Sequence, residues 1–152
     1  MAPEERTYDQ VQVGEKASLT KTLSEADIYM FAGITGDLNP LHVNEEYAKT
    51  TIFKGRVAHG ILTAGLISAV LGTKLPGPGA VYLSQTLRFT APVRIGDTIT
   101  ASAEVIEKIE EKSRIRLRTI CTNQEGKVVV EGEATTMLER TYESKTRAAR
   151  AS

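Results

Sequence analysis

The segment Gly60-Ile-Leu-Thr-Ala-Gly-Leu-Ile-Ser-Ala-Val-Leu71 decides the fold, because it contains no charged residue along its whole length. Its length suits a helix of about three turns, and the breakers in Leu75-Pro-Gly-Pro-Gly79 follow soon after it. A helix that is apolar on every face has no side to present to water. We therefore predict a buried central helix that the rest of the chain encloses.

The residues after this helix are typical of β-strands. One of them, Ser113 to Cys121, alternates strictly, with Ile115, Leu117, Thr119 and Cys121 on one face and Arg114, Arg116 and Arg118 on the other. Asn123-Gln124-Glu125-Gly126 is typical of a hairpin loop. Strands are predicted over 16–22, 81–89, 98–106, 113–121 and 127–137. These elements predict an α+β domain, in which a curved antiparallel sheet of about five strands wraps around the central helix.

The first half of the chain is predicted to be mainly helical. Ser24 and Asp27 have the spacing of a capping box, and they predict a helix that Gly33 and Gly36 bring to an end. The next residues, up to His42, are predicted as a loop, and a second short helix is predicted to start at Asn44.

Length and composition exclude several classes of protein. A chain of 152 residues and 16.5 kDa favours one domain, which we place at 1–138, followed by a polar, basic and flexible tail at 139–152. Nineteen basic and nineteen acidic residues cancel, so the chain lacks the positive charge that nucleic-acid binding requires. The longest uncharged run, Val57 to Thr73, is shorter than a membrane span, so we expect no membrane partner.

Cysteine usage indicates a reducing compartment. Cys121 is the only cysteine, which excludes an intramolecular disulfide and zinc sites built from several cysteines. The first six residues, Met-Ala-Pro-Glu-Glu-Arg, lack the basic and apolar regions of a secretion signal. We expect a cytoplasmic protein.

Asp37 and His42 are the first candidates for chemistry. They flank Pro40, which restricts the backbone between them and stiffens that arc of chain. A carboxylate beside an imidazole positions water and exchanges protons near neutral pH. The spacing alone favours a structural interpretation, in which Asp37 caps the turn and His42 is a structural partner.

His59 and Gly60 stand at the start of the predicted central helix. A helix N-terminus presents free N–H groups, and Gly60 allows a ligand close to them, which suits a developing oxyanion. His59 itself is interpreted as a helix cap or a packed core side chain. Together with Asp37 and His42 it has the residue types of a metal-binding triad, but the spacing adds no support and we predict no metal.

Several motifs in their order resemble the MaoC-like dehydratases. They are Asp37-Leu-Asn-Pro-Leu-His42, Tyr47-Ala48, Ala58-His-Gly-Ile61, Leu75-Pro-Gly77, and Pro92-Val93 with Gly96-Asp97. The similarity extends from about Tyr8 to Met137 and is strongest to the (R)-specific enoyl-CoA hydratase branch. The resemblance implies a single hot-dog domain, the same architecture as that predicted from the sequence pattern.

The resemblance also implies an activity and its residues. The reaction is the reversible syn hydration of a trans-2-enoyl-CoA to an (R)-3-hydroxyacyl-CoA. Asp37 and His42 are implied as the catalytic pair that holds the water, with the Gly60 N–H bound to the thioester oxygen. Asn39 and Ser68 are implied as supporting residues, whereas Asn44 stands where many relatives have Asp. No cofactor is implied, since the coenzyme A thioester is the substrate.

Three alternative functions remain open at this point. A hot-dog thioesterase would need a carboxylate on the central helix, and 60–71 contains none. A 3-hydroxyacyl-ACP dehydratase differs only in its carrier, and a non-catalytic acyl-CoA-binding module would not need Asp37 beside His42. The resemblance further implies a homodimer, or a higher oligomer of dimers, joined at sheet edges that would otherwise be exposed.

Two further expectations concern how the substrate is held. The acyl chain is expected to be short to medium, in a tunnel lined by Leu66, Val70 and Leu71. Lys54 and Arg56, just before the helix, are candidates for the coenzyme A phosphates on proximity alone.

Overall fold

The computed structural model describes residues 5–140, and most of the predicted C-terminal tail lies outside this range. Four α-helices, two single-turn 3-10 helices (Tyr8–Gln10 and Glu111–Ser113) and six strands are found in the described part. The α-helices are α1 (Glu25–Thr35), α2 (Pro40–Val43), α3 (Glu45–Lys49) and α4 (Gly60–Thr73). The strands are β1 (Lys16–Thr22), β2 (Val81–Gln85), β3 (Arg88–Phe89), β4 (Thr98–Ile109), β5 (Arg114–Thr122) and β6 (Val128–Met137).

All strands belong to one antiparallel sheet with the order β1-β4-β5-β6-β2, and β3 also pairs with β6. The sixth strand arises because the predicted strand 81–89 is divided into β2 and β3. Between them the chain passes so close to β6 that a Cβ on Gly132 would lie 1.8 Å from the Thr86 carbonyl oxygen. Glycine at 132 therefore allows the segment between β2 and β3 to lie directly against β6.

The core lies between α4 and the concave face of the sheet. Residues of β4 and β5 alternate between buried and partly exposed, as the period of a half-buried strand requires. The predicted inward set of β5, Ile115, Leu117, Thr119 and Cys121, is fully buried. From α4 the buried residues are Thr63, Leu66, Ile67, Val70 and Leu71. The predicted α+β architecture is confirmed.

One prediction about α4 is wrong within the single chain. The helix was expected to be enclosed on every side, but Ile61, Gly65, Ser68 and Gly72 are exposed. Their spacing places them along one side of the helix. We call these four residues the α4 stripe. Absence of charge indicated burial, but it does not distinguish a side covered by the sheet from one that the single chain leaves open.

The helices before α4 follow the sequence signals closely. Ser24 accepts a hydrogen bond from the Asp27 N–H, and the Asp27 side chain accepts in return from the Ser24 N–H, which completes the capping box. Helix α1 ends at Gly36, whose φ of 77° is left-handed. The predicted loop after it contains the short helix α2, and α3 starts after Asn44 as predicted. Within residues 5–140, no helix combines the length and apolar character needed to cross a bilayer.

Candidate active site

Three parts of the chain converge at the candidate site. The turn after α1 carries Asp37, and the short helix α2 carries His42. The third part is the N-terminus of α4, where His59 is the N-cap and Gly60 is the first helical residue. One oxygen of the Asp37 carboxylate and one ring nitrogen of each histidine all lie within 4.8 Å of one another. The structure therefore brings together the two predicted residues, Asp37 and His42, and adds His59 to them.

Asp37 presents an exposed carboxylate from a well-anchored main chain. Its N–H donates to the Thr35 hydroxyl at 3.2 Å, and its main-chain oxygen accepts from His59 Nε2 at 3.0 Å. The carboxylate oxygen Oδ1 accepts only the Asn39 N–H among the hydrogen bonds described, at 3.3 Å. The carboxylate thus retains oxygen lone pairs that face solvent and can accept a proton from water.

Asn39 and Pro40 explain why His42 is held in place. The Asn39 side chain accepts the Leu41 N–H at 3.0 Å and so caps α2, with Pro40 at the first helical position. His42 Nδ1 lies 2.7 Å from the Val57 carbonyl oxygen. Because a carbonyl oxygen only accepts, Nδ1 carries the hydrogen, and Nε2 keeps a free lone pair for water or a proton.

His59 is a packed core side chain, as one of its two predicted roles required, but its side chain does not cap α4. It is 2% exposed, and no side-chain hydrogen bond caps the helix. Its ring lies between Phe31, with centroids 4.8 Å apart, and His42, with centroids 3.9 Å apart. Its neighbours in sequence, Val57, Ala58 and Gly60, gave no signal for these ring contacts, since Phe31 and His42 are distant along the chain.

The three side chains have the composition of a two-histidine, one-carboxylate metal site. In such a site the ring nitrogens must converge on one ion at roughly 2.0–2.1 Å. The rings of His42 and His59 instead face each other at 3.9 Å with only 31° between their planes. Two imidazole rings that contact each other through their faces direct their nitrogen lone pairs within their own ring planes and not toward a shared point, so this arrangement does not favour a metal ion.

An apolar cavity of about 430 Å³ opens beside the cluster. Its lining includes His42, Val57, Gly60, Thr63, Phe89 and Val130. Gly60 is the first residue of α4, where N–H groups have no acceptor within the helix. A Cβ at position 60 would lie 2.7 Å from two carbons of the Phe89 ring. The sequence predicts that the missing side chain at Gly60 lets a ligand approach closely. On the side where a Cβ would lie, the Phe89 ring already occupies that space.

The predicted acyl-tunnel residues lie elsewhere. Leu66, Val70 and Leu71 belong to the core between α4 and the sheet, and they do not line this cavity. Ser68, predicted as a supporting residue, lies exposed in the α4 stripe and is also absent from the lining. The expectation of a tunnel lined by these three aliphatic side chains is wrong, because their side of α4 faces β-strands.

The two basic residues expected to bind phosphate have different environments. Lys54 is exposed, whereas the Arg56 side chain is only 10% exposed. Arg56 donates to the main-chain oxygen of His42 and to the Glu25 carboxylate, and its guanidinium lies over the Tyr29 ring. Hydrogen bonding to Arg56 lowers the pKa of Glu25. Arg56 thus connects α2 to α1, and its charge is already paired with the Glu25 carboxylate.

Cys121, the free cysteine beneath α4, is poorly suited to act as a nucleophile. Cys121 is fully buried beneath the helix, with Sγ 3.8 Å from the Thr63 carbonyl oxygen. Burial raises the pKa of this thiol to about 12. Because the thiolate is the reactive form, Cys121 is not suited to nucleophilic catalysis near neutral pH.

The chain is similar to known proteins over most of its length. A family model described as a MaoC like domain matches residues 9–131. An (R)-specific enoyl-CoA hydratase of Rhodospirillum rubrum is 60% identical over 131 residues, which cover 86% of this chain and 90% of that protein. A 3-hydroxybutyryl-CoA dehydratase of Methylorubrum extorquens is 53% identical, covering 88% of this chain and 86% of its own.

Solved structures give the same result. An unliganded R-hydratase from Pseudomonas aeruginosa superposes with a TM-score of 0.83 at 48% identity, covering 89% of this chain and 86% of that one. The (R)-hydratase of Aeromonas caviae superposes with a TM-score of 0.82 at 42% identity, covering 85% of this chain and 98% of that one. The hot-dog fold implied by the sequence motifs is confirmed, and the chain belongs to the MaoC-like dehydratase family.

Proposed function

We propose that this protein is an (R)-specific enoyl-CoA hydratase, a hydro-lyase that adds water reversibly to trans-2-enoyl-CoA and forms (R)-3-hydroxyacyl-CoA. The observation that carries the proposal is the position of Asp37 and His42. Their polar atoms lie within 4.8 Å of each other beside an apolar cavity that both His42 and Gly60 line. A water held by this pair would lie next to an acyl thioester in the cavity.

In the proposed mechanism, Asp37 and His42 hold the water that attacks C3 of the enoyl thioester. Asp37 acts as the base that takes a proton from this water, and the Nε2 lone pair of His42 orients the water and shares the proton. The hydroxyl bonds to C3 and a proton is delivered to C2 on the same face, so one water is consumed for each double bond. The exposed Asp37 carboxylate and the fixed His42 tautomer support these roles.

The thioester oxygen bears the transient negative charge, and we propose that the Gly60 N–H stabilises it. Free N–H groups and the positive end of the α4 dipole both favour negative charge at this point. Because the conjugated thioester accepts the electrons itself, we propose that the reaction needs neither a metal nor a redox cofactor. Coenzyme A enters only as part of the substrate.

We propose that the protein is a homodimer joined at the β2 edge of the sheet. Strand β2 is an edge strand that leaves Val81, Tyr82 and Leu83 between 39% and 48% exposed. The opposite edge, β1, carries Lys16 and Lys21, and lysine on an edge strand opposes pairing. A second copy at β2 would also come near the α4 stripe, so the supporting role of Ser68 is proposed only for the assembled dimer.

The test is a spectrophotometric hydration assay over enoyl-CoA chain lengths, with the configuration of the hydroxy product determined. We expect (R)-3-hydroxyacyl-CoA and a kcat/KM that falls for acyl chains too long for the cavity of about 430 Å³ beside His42 and Gly60. Matched acyl-carrier-protein thioesters in the same assay would reveal a carrier preference of the dehydratase type. No hydration of any 2-enoyl thioester would contradict the proposed function.

We also propose a cytoplasmic location, which the free, buried Cys121 supports.

A further inference from the structure

His59 contacts both members of the proposed catalytic pair. Its Nε2 lies 3.0 Å from the main-chain oxygen of Asp37, and its ring faces that of His42 at 3.9 Å. Because the Asp37 oxygen can only accept, Nε2 carries the hydrogen, and the buried Nδ1 has no partner in the described structure. The described polar contact of this imidazole is thus made to the main chain of the proposed catalytic turn.

The Asp37 turn depends on this hydrogen bond. Gly36, Asp37, Leu38 and Asn39 are all exposed, so little apolar burial holds the turn in place. Among the described contacts of the Asp37 main chain, the N–H reaches Thr35, which is only two residues away. The bond from His59 is the contact that attaches the Asp37 main chain to α4 and the core.

The orientation of the His42 ring also depends on contact with the His59 ring. The bond from Nδ1 to Val57 fixes one end of the imidazole, but a single hydrogen bond still allows the ring to tilt. His59 lies against the face of this ring, and Phe31 supports His59 from α1 at 4.8 Å. The three rings form a tilted stack, with interplanar angles of 54° and 31°, and this packing limits the tilt of His42.

The same residue also precedes the proposed oxyanion donor. His59 is the N-cap residue of α4, its main-chain oxygen accepts the Thr63 N–H at 3.3 Å, and Gly60 follows it directly. We propose that His59 is a positioning residue that holds Asp37, His42 and the Gly60 N–H in one rigid arrangement. This inference rests on the proposed hydratase function and extends it to a residue that does not touch the reacting atoms.

Two substitutions separate the two contacts. His59→Phe keeps an aromatic ring for the stack but removes the donor to Asp37, whereas His59→Gln keeps an N–H donor and removes the ring. For each variant we expect kcat to fall by about ten- to hundredfold, the range that a small displacement of reacting groups produces. KM should change little, since substrate binding does not involve His59.

A matched control distinguishes positioning from general loss of packing. Tyr8 is also a buried ring, 1% exposed, whose hydroxyl contacts Glu110 at 3.5 Å. Tyr8→Phe keeps the ring and removes one polar contact, as His59→Phe does, and we expect it to leave kcat unchanged. Thermal melting of all three variants shows whether each is folded, and His59→Gln remains informative if His59→Phe is not.

The decisive kinetic measurement places His59→Phe in an Asp37→Asn background. If His59 acts through the catalytic pair, the second substitution should add much less than its effect in the wild type, because groups that act as a unit are not additive. An equal loss in both backgrounds would overturn the proposal. So would wild-type kcat in both folded His59 variants.

Amide hydrogen exchange provides a readout that does not depend on activity. We expect His59→Phe to increase exchange across residues 36–42 relative to Tyr8→Phe, because the turn loses its attachment to α4. Unchanged exchange there would contradict the positioning role even in an active enzyme. If the wild type hydrates no enoyl thioester, the proposed function fails, and the exchange result still decides whether His59 holds this segment.

Discussion

Arg56 donates from Nε to the main-chain oxygen of His42 at 2.6 Å, so Arg56, which lies three residues before the N-cap of α4, holds the short helix α2 that carries a proposed catalytic side chain. The same guanidinium pairs with Glu25 of α1 and lies 5.1 Å from the centre of the Tyr29 ring. Three separate segments meet at this one buried cation. Arg56 therefore contacts the main chain of His42, and its guanidinium is already bound to groups of this chain.

Arg56→Lys tests this assignment. A lysine ammonium cannot reproduce the planar arrangement of donors that reaches both His42 and Glu25. We expect kcat to fall by about tenfold, as displacement of a catalytic group predicts, together with a lower melting temperature. Kinetics with an enoyl-CoA and with the matching enoyl-pantetheine thioester discriminate the roles. A rise in KM confined to the CoA substrate would instead favour phosphate binding.

Asp37→Asn keeps the size and hydrogen bonding of the side chain but removes the proposed base. General acid–base groups contribute about 10²–10⁴-fold, so we expect a loss of that order, mainly in kcat. His42→Gln should behave similarly, and the double variant should lose much less than the product of the two effects. Circular dichroism should show that all three fold, since Asp37 is exposed and His42 only half-buried. A folded Asp37→Asn enzyme with near-wild-type hydration activity would show that the catalytic site is misassigned.

The parts of the molecule that the sequence predicts well depend on local signals. The capping box at Ser24 and Asp27, the turn at Gly36 and the alternation of β5 each depend on residues close together in the chain, and each is found in the structure. The proximity of Asp37 and His42 has the same origin, because Pro40 and the Asn39 cap lie between them.

The features that the sequence did not reveal depend on distant partners. Arg56 is a candidate for phosphate binding from its sequence position alone, and its pairing with Glu25, 31 residues away, has no local signal. His59 gave no sign of its bond to Asp37, 22 residues earlier. The α4 stripe contains no charge, so hydropathy predicted burial, although the covering surface is absent from the single chain. Local pattern cannot supply such contacts, because each one is created only by the tertiary fold.

Glu15 provides a test of how stability depends on pH. Hydrogen bonding to Arg6, at 2.8 and 2.9 Å, lowers the pKa of Glu15 from its ordinary value of 4.5. A lowered carboxyl pKa stabilises the folded state above the ordinary value, and this contribution is lost as the pH falls through the folded-state value. We expect Glu15→Gln to lower the free energy of unfolding at pH 7 by about 1 kcal/mol or less, as for a partly exposed pair. Urea titrations of both proteins should converge at pH values below the folded-state pKa, and a constant difference at every pH would contradict the ion pair.

Gly65 tests the proposed dimer. It lies in the α4 stripe, and a Cβ added there would meet nothing within 4 Å in the single chain. Gly65→Glu should therefore be harmless to a monomer but should place a charge and extra volume into an interface that covers the stripe. We expect wild type to sediment as a dimer and Gly65→Glu to approach the 16.5 kDa mass of one chain. Gly33→Glu is the matched control, because it is also an exposed helical glycine with open space but lies on α1. A wild-type particle of one chain mass at micromolar concentration would contradict the dimer.

Gly60 and Phe89 give the last test, because two explanations account for glycine at position 60. A Cβ there would lie 2.7 Å from the Phe89 ring, which is closer than packed carbons approach. It would also narrow the space in which a thioester reaches the Gly60 N–H. We expect Gly60→Ala to lower both the melting temperature and kcat/KM. Phe89→Ala removes the ring, so combining it with Gly60→Ala should restore the melting temperature to that of Phe89→Ala alone. If the N–H of residue 60 binds the thioester, hydration activity of the double variant should stay below that of Phe89→Ala. Equal activity of these two variants would mean that glycine serves only to accommodate Phe89, and the oxyanion donor would have to be sought elsewhere.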